Sequence, residues 1–415
     1  MNKRILITGA STYGVKNHGD DAMLATLISG LKQDIPGAEL DFLCRHPDPE
    51  YDDLFGFTSI KNVDHDSSEE AKGRFFNGFN AGDERSGLLK IVKTIEQSDL
   101  IIIGGNSLME LRENEFLRGV SSYATLIALW AISYNKPYAL FGLNIVGPIE
   151  GQLTQKHAKF LIENAELVTA REDHVIKYLT DVNISCRNVK VCGDPAFGLT
   201  LPRLSQKASG SREKLLRWRD KEKILIGLNY RIEYWSCSKE RREFIIERLA
   251  QVTEKIIEKN NAQFLFIPNC TYSNGDRWQD DRLTNHKIFN HLDTKYAKDV
   301  FLIEEEQNVF ETANIFSYLN FHITNRRHSA IFAALNGVPF CLYEIGLKSH
   351  IAPLFSELKL DAQCVSIDHT VGEQVSQINE YISKSGDIVK CTDAALPSLV
   401  QKAKDQVRLI SDLVR

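Results

Sequence analysis

Phe321-His322-Ile323-Thr324-Asn325-Arg326-Arg327-His328-Ser329, continuing into Ala330-Ile331-Phe332-Ala333-Ala334-Leu335, reads as a short strand, a polar turn and an apolar helix. In doubly wound parallel sheets, ligands gather beyond the carboxyl ends of strands, where helix N-termini present free N–H groups and a partial positive charge. Two guanidiniums and an imidazole at such an end repel one another, a cost that an arriving anion would remove. Arginine offers bidentate contacts to carboxylate or phosphate, and histidine titrates near neutral pH. Arg326, Arg327, His328 and Ser329 are therefore expected to bind an anionic donor, with His328 supplying a proton. An exposed basic turn capped by Asn325 or Ser329 is the plainer alternative.

Working outward, the same strand-then-helix pattern recurs in two series. Ile5–Thr8, Leu40–Cys44, Leu100–Ile103, Tyr138–Phe141, Leu167–Thr169 and Val189–Val191 form the first. Ile224–Leu228, Phe264–Ile267, Phe301–Ile303, Phe321–Thr324 and Phe340–Leu342 form the second. Helical spacing between them is clearest at Leu24, Leu27, Ile28 and Leu31, and at Ile245, Leu249, Val252 and Ile256. The expected fold class is α/β, with two Rossmann-like domains facing across a cleft. A chain of 415 residues also exceeds the roughly 250–300 at which single cores stop growing. The expected boundaries are 1–200 for an N-terminal domain, 201–222 for a polar linker with room for a short amphipathic helix, 223–395 for the second domain, and 396–415 for a C-terminal helix. Residues 48–87, rich in Asp, Ser, Asn and Gly, are expected to form a long mobile loop beside the cleft.

Three further strand ends invite a ligand. The first, from Gly9 to Asp21, offers Asn17 or Asp20 as the helix cap, Asn17 also as a substrate contact, and its Asp20 and Asp21 carboxylates as candidate bases. The second ends in Gly104-Gly105-Asn106, where bare backbone can meet a substrate. At the third, Gly142-Leu143-Asn144, Asn144 is the polar candidate. Arg231 follows the strand Ile224–Leu228, and Lys348 follows Phe340–Leu342; each can add a cation. Neither GxGxxG nor a P-loop is present.

A net charge of −5 and a pI near 6.2 give no bulk attraction to nucleic acid or anionic lipid, so anion binding must come from local placement. Met1-Asn2-Lys3-Arg4 runs straight into a strand, without the apolar core of a signal peptide, and the expected location is cytoplasmic. The stretch Tyr123 to Ser133 is too short to span a bilayer and reads as a buried helix. Eight scattered cysteines show neither CxxC nor zinc spacing, and are expected to be reduced thiols, most of them packing residues; no metal site is expected, although carboxylates can bind a divalent ion without leaving a pattern.

Six blocks then line up with one family. Asn17-His18-Gly19-Asp20-Asp21-Ala22, Asp99 through Leu108, Gly142 through Pro148, Arg171-Glu172-Asp173, Asp194-Pro195-Ala196-Phe197, and Arg326 through Ser329 with Gly337-Val338-Pro339 resemble, in order, motifs of the polysaccharide pyruvyl transferases. The resemblance implies a glycosyltransferase-B-like architecture and a bacterial-type enzyme that moves pyruvate from phosphoenolpyruvate to sugar hydroxyls as a ketal, releasing phosphate. It implies that Arg231, Arg326 and His328 hold the donor carboxylate and phosphate, with no cofactor beyond phosphoenolpyruvate as co-substrate. The acceptor would be a sugar, a glycan or a lipid-linked saccharide, the last bringing peripheral membrane association; a homo-oligomer is also open. Asn106 in place of a third glycine, and Val15-Lys16 lengthening the first turn, depart from the family pattern on the acceptor side. Two other readings stay open: a nucleotide-sugar glycosyltransferase on the same scaffold, and a non-catalytic anion-binding protein.

Overall fold

The computed structural model describes residues 2–9, 15–63, 87–104, 120–145, 151–201, 210–232, 237–272, 280–344, 352–360 and 363–415. The chain divides into two compact units, one of Met1–Gly14, Asp20–Leu199 and Leu399–Arg415, the other of Val15–Gly19 and Thr200–Ser398.

In chain order the elements are β1 (Arg4–Thr8), β2 (Val15–Asn17), α1 (His18–Asp34), β3 (Glu39–Cys44), α2 (Pro49–Phe55), β4 (Thr58–Lys61), α3 (Leu88–Gln97), β5 (Leu100–Gly104), α4 (Val120–Ser133), β6 (Tyr138–Leu143), α5 (Gln152–Glu163), β7 (Leu167–Ala170), α6 (His174–Asp181) and β8 (Val189–Val191). They continue with α7 (Gly210–Trp218), β9 (Ile224–Asn229), α8 (Lys239–Asn260), β10 (Ala262–Phe266), β11 (Cys270–Tyr272), α9 (Asp281–Asn290), β12 (Val300–Leu302), α10 (Val309–Ile315), β13 (Phe321–Thr324), α11 (Arg327–Leu335), β14 (Phe340–Glu344), α12 (Ala352–Glu357), β15 (Cys364–Ser366), α13 (Val371–Ser383) and α14 (Ser385–Ser411).

Each unit is built on a parallel sheet. The first has the order β4-β3-β1-β5-β6-β7-β8, the second β12-β10-β9-β13-β14-β15. Strands covered on both faces must be apolar throughout, and Leu100-Ile101-Ile102-Ile103-Gly104 is buried at every residue. The stripe Leu24, Leu27, Ile28 and Leu31 is buried on α1, as is Ile245, Leu249, Val252 and Ile256 on α8.

Several elements differ from the expectation. Part of the expected 48–87 loop is ordered secondary structure: Asp48 accepts the Glu50 N–H at 3.0 Å, Pro49 opens α2, and β4 pairs with β3. Residues 64–86 of that loop lie outside the described residues. Within 201–222 stands α7, whose Leu215 is buried and whose Ser211 donates to Glu305 at 2.6 Å. The C-terminal helix begins at Ser385 and not near 396, and the chain from Leu399 belongs to the first unit. There Gln406 accepts the Thr169 hydroxyl at 2.7 Å, and Val407 fills the space over Gly30. The helix α4 is buried on one face only: Tyr123, Ile127 and Ala131 are inside, whereas Leu129 is 48% exposed.

Residues 15–19 stand out. Val15–Asn17 leave the first sheet's chain path to pair antiparallel with β11 of the second unit, Cys270 opposite Asn17 and Tyr272 opposite Val15. A three-residue polar strand paired with a segment so distant carries no period for a sequence reading to find.

Candidate functional site

β9 and β13 lie side by side in the second sheet, Asn229 level with Thr324, so the chain beyond each emerges at the same carboxyl edge. Asn325 ties the two exits together. Its Oδ1 accepts the Arg231 N–H at 2.8 Å, and its Nδ2 donates to the Arg231 carbonyl at 2.8 Å. Arg231 is thereby fixed beside the turn that carries Arg326, Arg327 and His328. Arg326 occupies the N-cap of α11 with extended backbone and no side-chain cap, and its own N–H is accepted by Thr324 Oγ1 at 2.9 Å.

The cations of that turn are not left to repel one another. Arg326 Nη2 donates to both oxygens of the buried Asp281, at 2.7 and 3.0 Å, and Arg327 Nη2 reaches Glu357 at 3.2 Å. Asp281 also accepts the N–H groups of Asn269 and Cys270, each at 2.9 Å. Contrary to the expectation from sequence, the turn does not depend on an incoming anion for neutralisation, because the fold supplies two carboxylates. Burial alone would lower the basicity of Arg326, but Asp281 outweighs it and holds the guanidinium charged. Its Nε is buried, with no hydrogen-bond partner among the described residues. Ser329, expected to touch substrate, is fully buried and bonded to His322 Nε2 at 2.9 Å; Arg327 is likewise largely buried. Both therefore serve the packing of α11.

The segment Asn17-His18-Gly19 closes on this turn from the other side. Asn17 Oδ1 accepts the Gly19 N–H at 3.2 Å, and His18 N–H is accepted by the Asn269 carbonyl at 3.0 Å. Lys16 pairs with Glu306 at 3.1 Å. Gly19 lies so close to the His328 ring that a Cβ there would come within 1.9 Å of Nδ1. This is the physical demand behind the glycine of the N-x-G-D block. His18, singled out by no sequence pattern, is buried, and desolvation lowers its pKa to about 4. Its Nε2 lies 3.0 Å from the Gln307 carbonyl, an acceptor only, so Nε2 carries the proton and Nδ1 presents a lone pair. Asp281 and Glu344 were missed as well. Glu344 closes β14, and burial raises its carboxyl pKa.

The remaining candidates lie in the first unit. Gly104 ends β5 within 2.8 Å of where a Cβ on Gly9 would stand, so both glycines permit one tight approach between strand ends. Asn144, half-buried, turns its Oδ1 onto the Ile145 N–H at 3.0 Å. Asp21 is fully buried and accepts the Tyr51 hydroxyl at 2.7 Å, which withdraws it from the role of solvent-facing base; Asp20 is half-buried. Arg171, Asp194 and Gly142 form a supporting network: Arg171 Nε donates to the Gly142 carbonyl at 2.8 Å, and its guanidinium sits 3.8 Å from Asp194. Gly105, Asn106 and Lys348 lie outside the described residues. Among the described residues there is no cluster of side chains suited to hold a metal ion, and no helix long and apolar enough to cross a membrane.

The family model of the polysaccharide pyruvyl transferases matches residues 17–345, most of the chain, and its match begins at Asn17 of the segment just described. The chain belongs to the polysaccharide pyruvyl transferase family. As a pyruvyl transferase it is an enzyme whose family points to a sugar or glycan acceptor. Similar solved structures are a putative UDP-N-acetylglucosamine 2-epimerase from Listeria monocytogenes (TM-score 0.65, 11% identity, 99% of this chain and 95% of that one) and HepE of Anabaena in complex with UDP and glucose (TM-score 0.60, 13% identity, 99% and 98%). A UDP-GlcNAc 2-epimerase from Neisseria meningitidis bound to UDP-GlcNAc aligns over 100% of both chains (TM-score 0.61, 12% identity). At such identities they establish the fold, which is glycosyltransferase-B-like with two parallel-sheet units. None of the curated proteins compared with the chain matches it.

Proposed function

We propose that this pyruvyl transferase takes phosphoenolpyruvate as donor and builds a pyruvate ketal on two neighbouring hydroxyls of a sugar, glycan or lipid-linked saccharide in the cytoplasm. The observation that carries the reading is the convergence of Arg231, Arg326 and His328 with the Gly19 segment at one edge of the second sheet. A small donor bearing both a carboxylate and a phosphate suits two guanidiniums set on adjacent strand exits.

In this reading His328 gives a proton to the methylene carbon of the donor, and the carbon bearing the phosphate becomes cationic, stabilised by its oxygen. An acceptor hydroxyl attacks that carbon and loses its proton to a base, for which Asp20, next in the chain after Gly19, is our candidate. The C–O bond to phosphate then breaks, regenerating an oxocarbenium carbon, and a second hydroxyl attacks it and gives its proton to the departing phosphate, which closes the ketal. The Arg326 guanidinium is held by Asp281 before the substrate arrives, so it stabilises developing charge without reorganising.

The test is phosphate release from phosphoenolpyruvate with a panel of vicinal and 1,3-diol glycosides, beside UDP release from UDP-GlcNAc. Acceptor-dependent phosphate release that His328→Ala abolishes supports the reading. UDP release without phosphate release would favour the nucleotide-sugar alternative, which the likeness to UDP-sugar enzymes keeps in view.

A further inference from the structure

We infer that Asp281 is a positioning residue for the donor site, acting through Arg326; the inference rests on the reading of Arg326 as a donor ligand. Asp281 opens α9, and Asp280 caps that helix by accepting the Arg282 N–H at 3.0 Å. The Asp281 carboxylate is therefore not needed as the cap. It is 2% exposed and among the described residues collects five donor contacts: the Asn269 and Cys270 amides, Asn229 Nδ2 at 3.5 Å and two from Arg326 Nη2. The two amides belong to the segment that pairs with β2 and accepts His18 N–H. One carboxylate thus registers the guanidinium against the strand that brings Gly19 to His328.

The consequence for Arg326 is geometric. A free arginine side chain samples many rotamers, and an anion that captures it must first order it. Here Nη2 is already held on both oxygens of Asp281, so the plane of the guanidinium is set before a ligand arrives. Asp281 also cancels charge. The site then holds a preoriented donor edge rather than an unscreened cation, which favours an anion that accepts in plane, such as a carboxylate or a phosphate oxygen pair.

A structural carboxylate and a positioning one differ in a thermodynamic cycle. We would measure KM for phosphoenolpyruvate, KM for the acceptor, kcat and thermal midpoint in wild type, Asp281→Asn, Arg326→Met and the double variant. Asp281→Asn is expected to raise the donor KM about tenfold or more, the coupling usual for residues in one hydrogen-bonded network, and to leave the acceptor KM unchanged. In the Arg326→Met background the same change should have no further effect on the donor KM. Asp281→Glu keeps the charge at a longer reach and serves if Asp281→Asn does not fold; partial retention of donor affinity is expected. Folded Asp281 variants with an unchanged donor KM, or effects that add in the double variant, overturn the positioning role while leaving the donor reading intact. An unchanged donor KM in Arg326→Met overturns both.

Discussion

Gly19 is the residue on which the proposed chemistry turns most sharply. A methyl group there would stand 1.9 Å from His328 Nδ1, so Gly19→Ala must displace the ring while leaving α1 its other contacts. Turnover is expected to fall about a hundredfold, the size of effect that ångström-scale misplacement of a catalytic group produces, together with the lower thermal midpoint that overpacking brings. Full activity in Gly19→Ala would show that the ring position is not required. His18 and His322 give a second residue-scale expectation, since burial lowers their pKa to about 4 and about 3. The unfolded chain takes up these protons near pH 6.5 and the folded one does not, so stability is full above that pH and is lost as pH falls toward 4. Each tenfold loss of proton affinity on folding is worth about 1.4 kcal/mol, so two such rings make the effect large. Melting curves from pH 7 to pH 4 should show a steep acid limb that becomes shallower in His18→Asn; an unaltered limb contradicts the burial argument for that ring. These residues also show what the sequence withheld. The Arg326–His328 turn was legible because its charges sit at a strand-to-helix junction, but Asp281 and His18 owe their roles to neighbours far along the chain. Arg327 and Ser329 looked like ligands for want of any sign of Glu357 and His322.

At the scale of elements, the exits of β9 and β13 are joined by the reciprocal bonds between Asn325 and the Arg231 backbone. Asn325→Ala removes both, leaving backbone groups to find other partners at a cost of about 1–3 kcal/mol. Calorimetry should show weaker phosphoenolpyruvate binding alongside a lower melting point. Unchanged affinity would mean that Arg231 is placed by something other than this pair. Strongly apolar strands were readable: every strand of the two expected series appears within a few residues of its place, and most of them, the short, exposed β8 aside, are buried along their length and announce themselves. The strands that were missed, β2, β4, β11 and β15, have three or four residues, and their partners supply what their own sequence does not.

For the whole molecule, α14 begins in the second unit and ends in the first, where Val407 packs over Gly30 and Ala403 near Gly198. A Cβ at Gly30 would meet Val407 at 2.6 Å, so Gly30→Ala overpacks that seam and should destabilise the first unit by about 1–3 kcal/mol. Scanning calorimetry would show it as an earlier transition, with donor binding in the second unit retained. Loss of donor binding in parallel would contradict the separation. The family blocks divide along the same line. Those of the first unit, Gly142, Arg171 and Asp194, hold one another in a buried network, whereas Asn17 through Gly19 and Arg326 through His328 meet at the proposed donor site.

The central claim, that the second unit captures phosphoenolpyruvate through Arg326, is tested most directly by calorimetric titration of phosphoenolpyruvate into wild type and Arg326→Met, with UDP-GlcNAc titrated in parallel. The expected result is saturable phosphoenolpyruvate binding that the variant loses, and no comparable UDP-GlcNAc binding. Binding of UDP-GlcNAc without binding of phosphoenolpyruvate, or phosphoenolpyruvate binding that Arg326→Met leaves unchanged, would contradict it.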